Sequence, residues 1–289
     1  ARAGRTDARC GGAAPAAGRR RWRCGFRAGA GVASLADALA GTGGRPQALA
    51  APADKAPAVV SGVPRFDRTA KLYVGGKQAR PDGGYSYTVY GANGAAAGQA
   101  GLGNRKDIRN AVEAAHKSAW SKQTAHNRAQ VLFYLAENLA ARADEFTHRL
   151  AAFGSEKHAR REVELSIERL FLYAAWADKW EGRVHQTPLR MVTLAMREPV
   201  GVLGIACDDA APLLGFISAI APALALGNAV IVVPGERAPI VATDFYQVAD
   251  TSDLPAGALN IITGLRSELV PTLASHDDIE GVWYFAPDG

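Results

Sequence analysis

The sequence predicts an α/β fold built on a doubly wound parallel sheet. From residue 200 onward, short buried strands alternate with helices, as in Val200–Cys207, Leu213–Leu226 and Ala229–Val233. Strands that alternate with helices in this way pair in parallel through right-handed crossovers. The chain stops at Gly289 directly after a predicted strand. We therefore expect a fragment whose sheet is incomplete at the C-terminus.

Residues 1–68 form a segment of different composition, rich in Ala, Gly, Arg and Pro. Such a segment cannot bury enough apolar surface to offset its chain entropy, so a disordered, low-complexity linker is predicted. Residues 1–70 hold twelve Lys and Arg against four Asp and Glu, so the net charge of +5 originates here. The run Arg19–Arg23 resembles a nucleic-acid or targeting patch, but a biased linker accounts for it without nucleic acid. Only Ser34–Leu39 has the pattern of a short helix.

Folded structure is predicted from near Lys71, within a domain spanning residues 69–289. Its first part has strand and turn character typical of β-hairpins. The strands are expected at Leu72–Val74, Tyr85–Tyr90 and Gly98–Gly103, with turns at Gly75-Gly76, Pro81–Gly84 and Asn93-Gly94.

Helices follow, because apolar residues recur at helical spacing. Asp107 is placed to cap the first of them. Further helices are predicted at Ala125–Arg142, Asp144–Phe153 and Glu156–Trp180, and a strand at Thr193–Arg197. The aromatic residues of the long helix could form a ligand box, but their helical spacing favours a core or interface role. They are Phe171, Tyr173, Trp176 and Trp180.

The remaining elements complete the alternating pattern. They are Ile240–Thr251, Ala258–Thr263, Ser267–Ser275 and Gly281–Phe285. Open parallel sheets bind ligands in the crevice beyond the carboxyl ends of their strands. A dinucleotide pyrophosphate needs backbone N–H groups there and no carboxylates. Asp208 and Asp209 have the wrong charge for this, and Pro287 has no N–H group. Glu236 could bind ribose hydroxyls, or it could form an ordinary surface pair with Arg237.

The segment Pro199–Asn228 and the segment Leu254–Gly264 resemble the cofactor domain of the aldehyde dehydrogenases, and the resemblance covers about Lys71 to Gly289. It implies an NAD(P)-dependent oxidoreductase fold. In that family the first strand leads into Pro-Trp-Asn-Phe-Pro, whose asparagine supports the oxyanion. Here those five positions are Asp208–Pro212, and Ala210 stands at the asparagine position. An alanine methyl cannot donate a hydrogen bond to developing negative charge.

Other positions depart from the family pattern as well. The lysine expected to meet the adenosine ribose or phosphate is Val233, whereas the glutamate of the same motif is kept as Glu236. Gly264 matches the first glycine of the family's Gly-x-Gly-x-x-x-Gly turn, but Arg266 and Val270 occupy the other two positions. Glu236 and Gly264 are thus the vestigial candidates for cofactor contact. The general-base glutamate and the nucleophilic cysteine of the family lie beyond this chain.

These losses in one crevice resemble the second, degenerate unit of the two-unit family 16 members. The resulting hypothesis is a catalytically degenerate homologue that binds no cofactor and serves as a structural and partner-interaction unit. An active NAD(P)-dependent aldehyde dehydrogenase, with its catalytic cysteine outside this chain, remains the alternative. A homo-oligomer with protein partners is implied, in the cytoplasm, and nucleic-acid binding by the Arg-rich tail is the weakest reading.

Two residue types give no independent site. Cys207 closes a buried strand beside two aspartates, which should raise its pKa and disfavour the nucleophilic thiolate, so a small apolar role is favoured. The six histidines show no metal-ligand spacing, so no metal is expected. No uninterrupted run of 18 apolar residues occurs, so no membrane span is expected.

Overall fold

The computed structural model describes residues 69–285. The strands are β1 Leu72–Val74, β2 Lys77–Ala79, β3 Ser86–Tyr90, β4 Ala96–Gly101, β5 Arg183–His185, β6 Thr193–Ala195, β7 Val202–Ala206, β8 Ala229–Val233, β9 Leu259–Ile261 and β10 Gly281–Tyr284. The helices are α1 Arg105–Lys117, α2 Ala125–Ala141, α3 Ala143–Ala151, α4 Glu156–Ala177, α5 Pro212–Ala225, α6 Pro239–Asp244, α7 Tyr246–Asp250 and α8 Arg266–Ser275. The predicted linker, the helix at Ser34–Leu39 and Pro287 lie outside the described residues.

The main sheet has six strands in the order β10-β7-β8-β9-β1-β2. Its four strands β10, β7, β8 and β9 are parallel, as the sequence predicts. β1 then joins antiparallel to β9, and β2 pairs with β1 across the Gly75-Gly76 turn. The α/β class is confirmed, and the sheet is mixed rather than purely parallel.

Helices cover both faces of this sheet, which explains why its central strands β7 and β8 are apolar throughout. In β8, Val230 and Val232 belong to the larger core cluster, whereas Ile231 and Val233 belong to the smaller one. The smaller cluster includes residues of α1 and α8, and the larger one includes residues of α2 to α7. Successive strand residues point to opposite faces, so one strand contributes to both cores.

Two hairpins lie outside the main sheet. β3 and β4 pair with each other, and β5 pairs with β6. The strand β5 is absent from the sequence prediction, because its three residues are all exposed and show no alternating burial. The predicted Thr193–Arg197 is its partner, shortened to β6.

Three other expectations need correction. Asn104, not Asp107, caps α1: its side chain accepts from the N–H groups of Lys106 and Asp107, and the Asp107 carboxylate in turn accepts from the Asn104 N–H at 2.9 Å. This is a reciprocal capping box, which the Asn-x-x-Asp spacing could have revealed. The long helix α4 ends at Ala177, before Trp180. Ile240–Thr251 is split into α6 and α7 at Phe245.

Within residues 69–285, no helix is long and apolar enough to cross a membrane.

Candidate functional site

The candidate site lies where the strand order of the sheet reverses. The chain runs from β7 to β8 to β9 and then returns to place β10 on the other side of β7. Ligands of open α/β sheets bind at such a switch point, outside the carboxyl ends of the strands. The segments following β7, β8 and β9 lie together there and are connected by hydrogen bonds. Ala286 and Pro287, which follow β10, lie outside the described range.

Arg266 is the residue that connects these segments. It is the first residue of α8, directly after β9, and its guanidinium reaches the other two strand ends. Its Nη1 donates to the backbone oxygen of Cys207 at 3.2 Å, and its Nη2 contacts the carboxylate of Asp209. Its backbone N–H donates to Oε1 of Glu236 at 2.6 Å, and its Nε lies 3.7 Å from the same oxygen. A sequence prediction that treats Arg266 only as a lost glycine misses this role.

The electrostatics of this cluster keep Arg266 charged. Burial lowers the pKa of its guanidinium, but the negative charges of Asp209 and Glu236 outweigh that effect and raise the pKa above its ordinary value. The three side chains are mostly shielded, with exposed fractions of 16% for Arg266, 24% for Asp209 and 19% for Glu236. An ion-pair network at this depth is screened less by salt than a surface pair.

Glu236 does not form the predicted surface pair. Its partner is Arg266, and the expected pairing with Arg237 is wrong. Arg237 instead donates its backbone N–H to Asp209 at 2.9 Å, and its guanidinium donates to the backbone oxygen of Phe153 at 3.0 Å. Neighbours in sequence thus point in different directions, because the loop after β8 turns between them.

The two glycines of these loops are required by close packing. A Cβ on Gly264, which has φ of +154°, would lie 2.9 Å from Leu269 and 3.1 Å from the backbone oxygen of Gly103. A Cβ on Gly235 would lie 2.6 Å from the backbone oxygen of Asp208. Gly264, a candidate for cofactor contact, therefore has a structural reason to be glycine that needs no ligand.

The loop after β7 carries the position at which the family has its oxyanion-supporting asparagine. Ala210 is exposed in the loop between β7 and α5, at the carboxyl end of the sheet. Asp208 accepts a hydrogen bond from the N–H of Asp209 at 2.6 Å, which fixes the turn. Val233, at the family's lysine position, is fully buried in the smaller core cluster. Neither side chain can donate a hydrogen bond.

Cys207 is buried next to this loop. Burial raises the pKa of its thiol most, Arg266 opposes that effect, and the Asp208 and Asp209 carboxylates add to it, so that the pKa reaches about 12. The thiolate is the nucleophilic form of cysteine, and at neutral pH this thiol stays protonated. The structure thus agrees with a small apolar role.

Glu162 is a functional-looking residue that the sequence analysis misses. It lies on α4, it is 9% exposed, and its Oε1 accepts from the N–H groups of Leu213 and Leu214 at 2.8 and 3.0 Å. These two N–H groups lie in the first turn of α5, where the helix itself offers them no acceptor. A signal exists in the sequence, since Glu162 and Ser166 interrupt the apolar face of a helix four residues apart.

Tyr87 of β3 is a second such residue. Its hydroxyl is buried and has no hydrogen-bond partner among the described residues. Burial raises the pKa of this phenol, and the charges of Glu236 and Asp209 raise it further, so it stays neutral. The hairpin of β3 and β4 therefore lies close to the carboxylates of the crevice.

No metal centre accompanies the cluster. Within the part of the chain that the structure describes, no group of three or more His, Cys, Asp or Glu side chains is arranged to hold a metal ion. The aromatic side chains on and just after α4 do not enclose a ligand box either. Trp176 and Trp180 are 47% and 41% exposed, with ring centroids 5.6 Å apart.

Comparison with known proteins gives one consistent result. Residues 81–285 match the model of the aldehyde dehydrogenase family. The chain is 28% identical to the cytosolic 10-formyltetrahydrofolate dehydrogenase of Xenopus laevis, covering 74% of this chain and 25% of that protein. It is 32% identical to the hydroxyisobutyraldehyde dehydrogenase of Mycolicibacterium austroafricanum, covering 74% of this chain and 43% of that protein.

A solved structure shares the fold. The NAD+ complex of an aldehyde dehydrogenase from Bacillus cereus superimposes with a TM-score of 0.71 at 23% identity, covering 74% of this chain and 45% of that one. The chain spans between a quarter and just under half of the length of these relatives.

Proposed function

The chain belongs to the aldehyde dehydrogenase family, and we propose that it is a catalytically degenerate member that acts as a structural and partner-interaction unit. The observation that supports this most directly is the loop after β7. Its side chains present carboxylates at Asp208 and Asp209 and a methyl group at Ala210, the position of the oxyanion-supporting asparagine. Removing one oxyanion donor typically slows an enzyme by roughly 100- to 1000-fold.

Cofactor binding is weakened by a further substitution, at Val233. Val233 is a buried apolar side chain where the family's lysine meets the adenosine moiety. A charge-assisted hydrogen bond contributes about 1.5–3 kcal/mol, so its loss weakens binding by roughly ten- to a hundredfold. Glu236, the retained ribose candidate, already accepts a hydrogen bond from Arg266.

The proposed partner role is supported by the β5–β6 hairpin. Val184 and Leu194 are paired across the two strands and are 75% and 58% exposed. Four further apolar side chains of this region are at least 63% exposed, namely Leu189, Met191, Val192 and Met196. A contiguous exposed apolar surface on a folded domain is typical of an interaction site. A homo-oligomer would cover it.

We also propose a place for this chain within a larger protein. In this proposal, the chain is the second unit of a two-unit family 16 protein in the cytosol, residues 1–68 are the linker, and a more enzyme-like unit precedes them. The cytosolic setting is proposed because the 10-formyltetrahydrofolate dehydrogenase relatives are cytosolic proteins by name.

An NAD(P)-dependent oxidoreductase is the second candidate. The observation in its favour is that the chain spans less than half of relatives named as dehydrogenases, one of them solved with NAD+. In that case the catalytic cysteine is supplied by another part of the polypeptide.

Calorimetric titration with NAD and with NADP decides between the two. The Bacillus cereus enzyme serves as the positive control, and NADH formation from short aldehydes is followed in parallel. We expect no binding at low micromolar cofactor and no NADH above the blank. Low-micromolar binding would overturn the proposal of a degenerate cofactor site.

A further inference from the structure

The guanidinium of Arg266 contacts two loops other than its own. It leaves the start of α8, after β9, and meets the Cys207 oxygen and Asp209 at the end of β7 and Glu236 at the end of β8. The guanidinium therefore lies in the crevice at the switch point, where a ligand of this fold class would be bound. It ties three strand ends together through one side chain.

The chemistry of the contacts is specific for this group. Arg266 uses Nη1 for a carbonyl oxygen, Nη2 for one carboxylate, and Nε with its backbone N–H for the second carboxylate. A planar fork with several fixed donors can serve these acceptors together, whereas a lysine ammonium is a point charge. Asp209 and Glu236 carry one more negative charge than Arg266 neutralises, so the crevice favours a cation over a phosphate.

The hairpin beside the crevice adds no further charge. The Tyr87 hydroxyl is buried near the two carboxylates and stays protonated. Because this hydroxyl is neutral, it adds no negative charge, and the Arg266 guanidinium is the group that compensates the charges of Asp209 and Glu236.

We propose that Arg266 is an internal ligand, whose guanidinium occupies the nucleotide crevice and holds the ends of β7, β8 and β9 in place of a bound cofactor. The crevice is then a guanidinium site filled by the protein itself. This inference rests on the proposed function, since it places a side chain of the protein in the crevice that a cofactor would otherwise occupy.

Chemical rescue tests the site directly. Thermal unfolding of the full chain is compared for the wild type, Arg266→Ala and Arg266→Lys, each with and without about 10 mM methylguanidinium, a concentration far below those that unfold proteins. Methylammonium chloride at equal concentration controls for ionic strength. Arg161→Ala is the matched variant, because Arg161 pairs with Glu164 at 3.2 Å on an exposed surface.

Arg266→Ala should lower Tm by at least about 5 °C, because it leaves two shielded carboxylates unpaired. Arg161→Ala should lower it by less than about 2 °C. Methylguanidinium should restore part of the loss in Arg266→Ala, but methylammonium should not. Arg266→Lys should lie between the wild type and Arg266→Ala. Equal losses for the two alanine variants, or an equal response of all proteins to methylguanidinium, would overturn the inference.

A neutral variant covers the case in which Arg266→Ala does not fold. Arg266→Met with Asp209→Asn and Glu236→Gln removes all three charges at similar volume. It should fold and ignore methylguanidinium, whereas failure to fold or a response to the ligand would count against the site. Because no nucleotide enters this experiment, its failure is distinct from that of the proposed function, which the NAD titration decides.

Discussion

Replacing Glu162 tests how the loop that carries Ala210 is held. Glu162→Ala removes the acceptor for the N–H groups of Leu213 and Leu214, which lie at 2.8 and 3.0 Å and open α5. Both donors are buried, so water cannot take the place of the carboxylate. An unsatisfied buried donor costs about 1–3 kcal/mol, so we expect a loss of about 2–4 kcal/mol in the free energy of unfolding.

Glu162→Gln is the informative partner of that variant. The glutamine keeps an oxygen in the position of Oε1 but carries no charge. In the wild type, burial raises the pKa of the Glu162 carboxyl, and the two backbone hydrogen bonds oppose the shift without cancelling it. Because the folded-state pKa lies above the unfolded one, the protonated form is favoured by folding. That contribution is fully present below the unfolded pKa of about 4.3 and is lost as the pH rises through the folded-state pKa.

The glutamine variant resembles the protonated state at every pH. Its stability relative to the wild type should therefore increase between pH 4 and pH 8, while Glu162→Ala stays less stable than the wild type throughout. Urea unfolding followed by circular dichroism at several pH values measures both differences. The reasoning is refuted if Glu162→Gln is as destabilising as Glu162→Ala, or if its difference from the wild type does not change with pH.

Two further predictions concern the turn before β9 and the β5–β6 hairpin. Within residues 69–285, Asp253 is the non-glycine residue with a positive φ, at +55°. Because glycine adopts this backbone conformation without strain, Asp253→Gly should raise the free energy of unfolding by about 0.5–1 kcal/mol. Urea unfolding measures the change, and a loss of stability equal to that of Asp253→Ala would contradict the prediction. The chain should self-associate through its exposed apolar surface, to which the β5–β6 hairpin and the edge strand β10 contribute most. The double variant Val184→Lys with Leu194→Lys should therefore lower the particle mass measured by light scattering. The control variant Glu164→Lys should leave that mass unchanged. A wild-type chain that stays monomeric at every concentration would show that this surface does not drive self-association.

The sequence alone determined the α/β class and the parallel core. Residues such as Val230 to Val233 are apolar without interruption, and this pattern requires a strand covered on both faces. The order of the strands along the chain also located the crevice, because the carboxyl ends of parallel strands meet at one edge of the sheet. The sequence alone therefore assigns Ala210 and Asp208 to the loop after β7.

Tertiary structure decided what fills that crevice. Glu236 lies next to Arg237 in sequence, yet it pairs with Arg266, thirty residues away. Gly264 resembles a cofactor glycine, but its close contact with Leu269 of α8 and with the backbone of Gly103 is enough to require it. Glu162 caps a helix that begins 50 residues later in the chain. Sequence patterns report the periodicity of burial, whereas the partner of a charged side chain depends on which loops the fold brings within hydrogen-bonding distance, and only the folded chain fixes that distance.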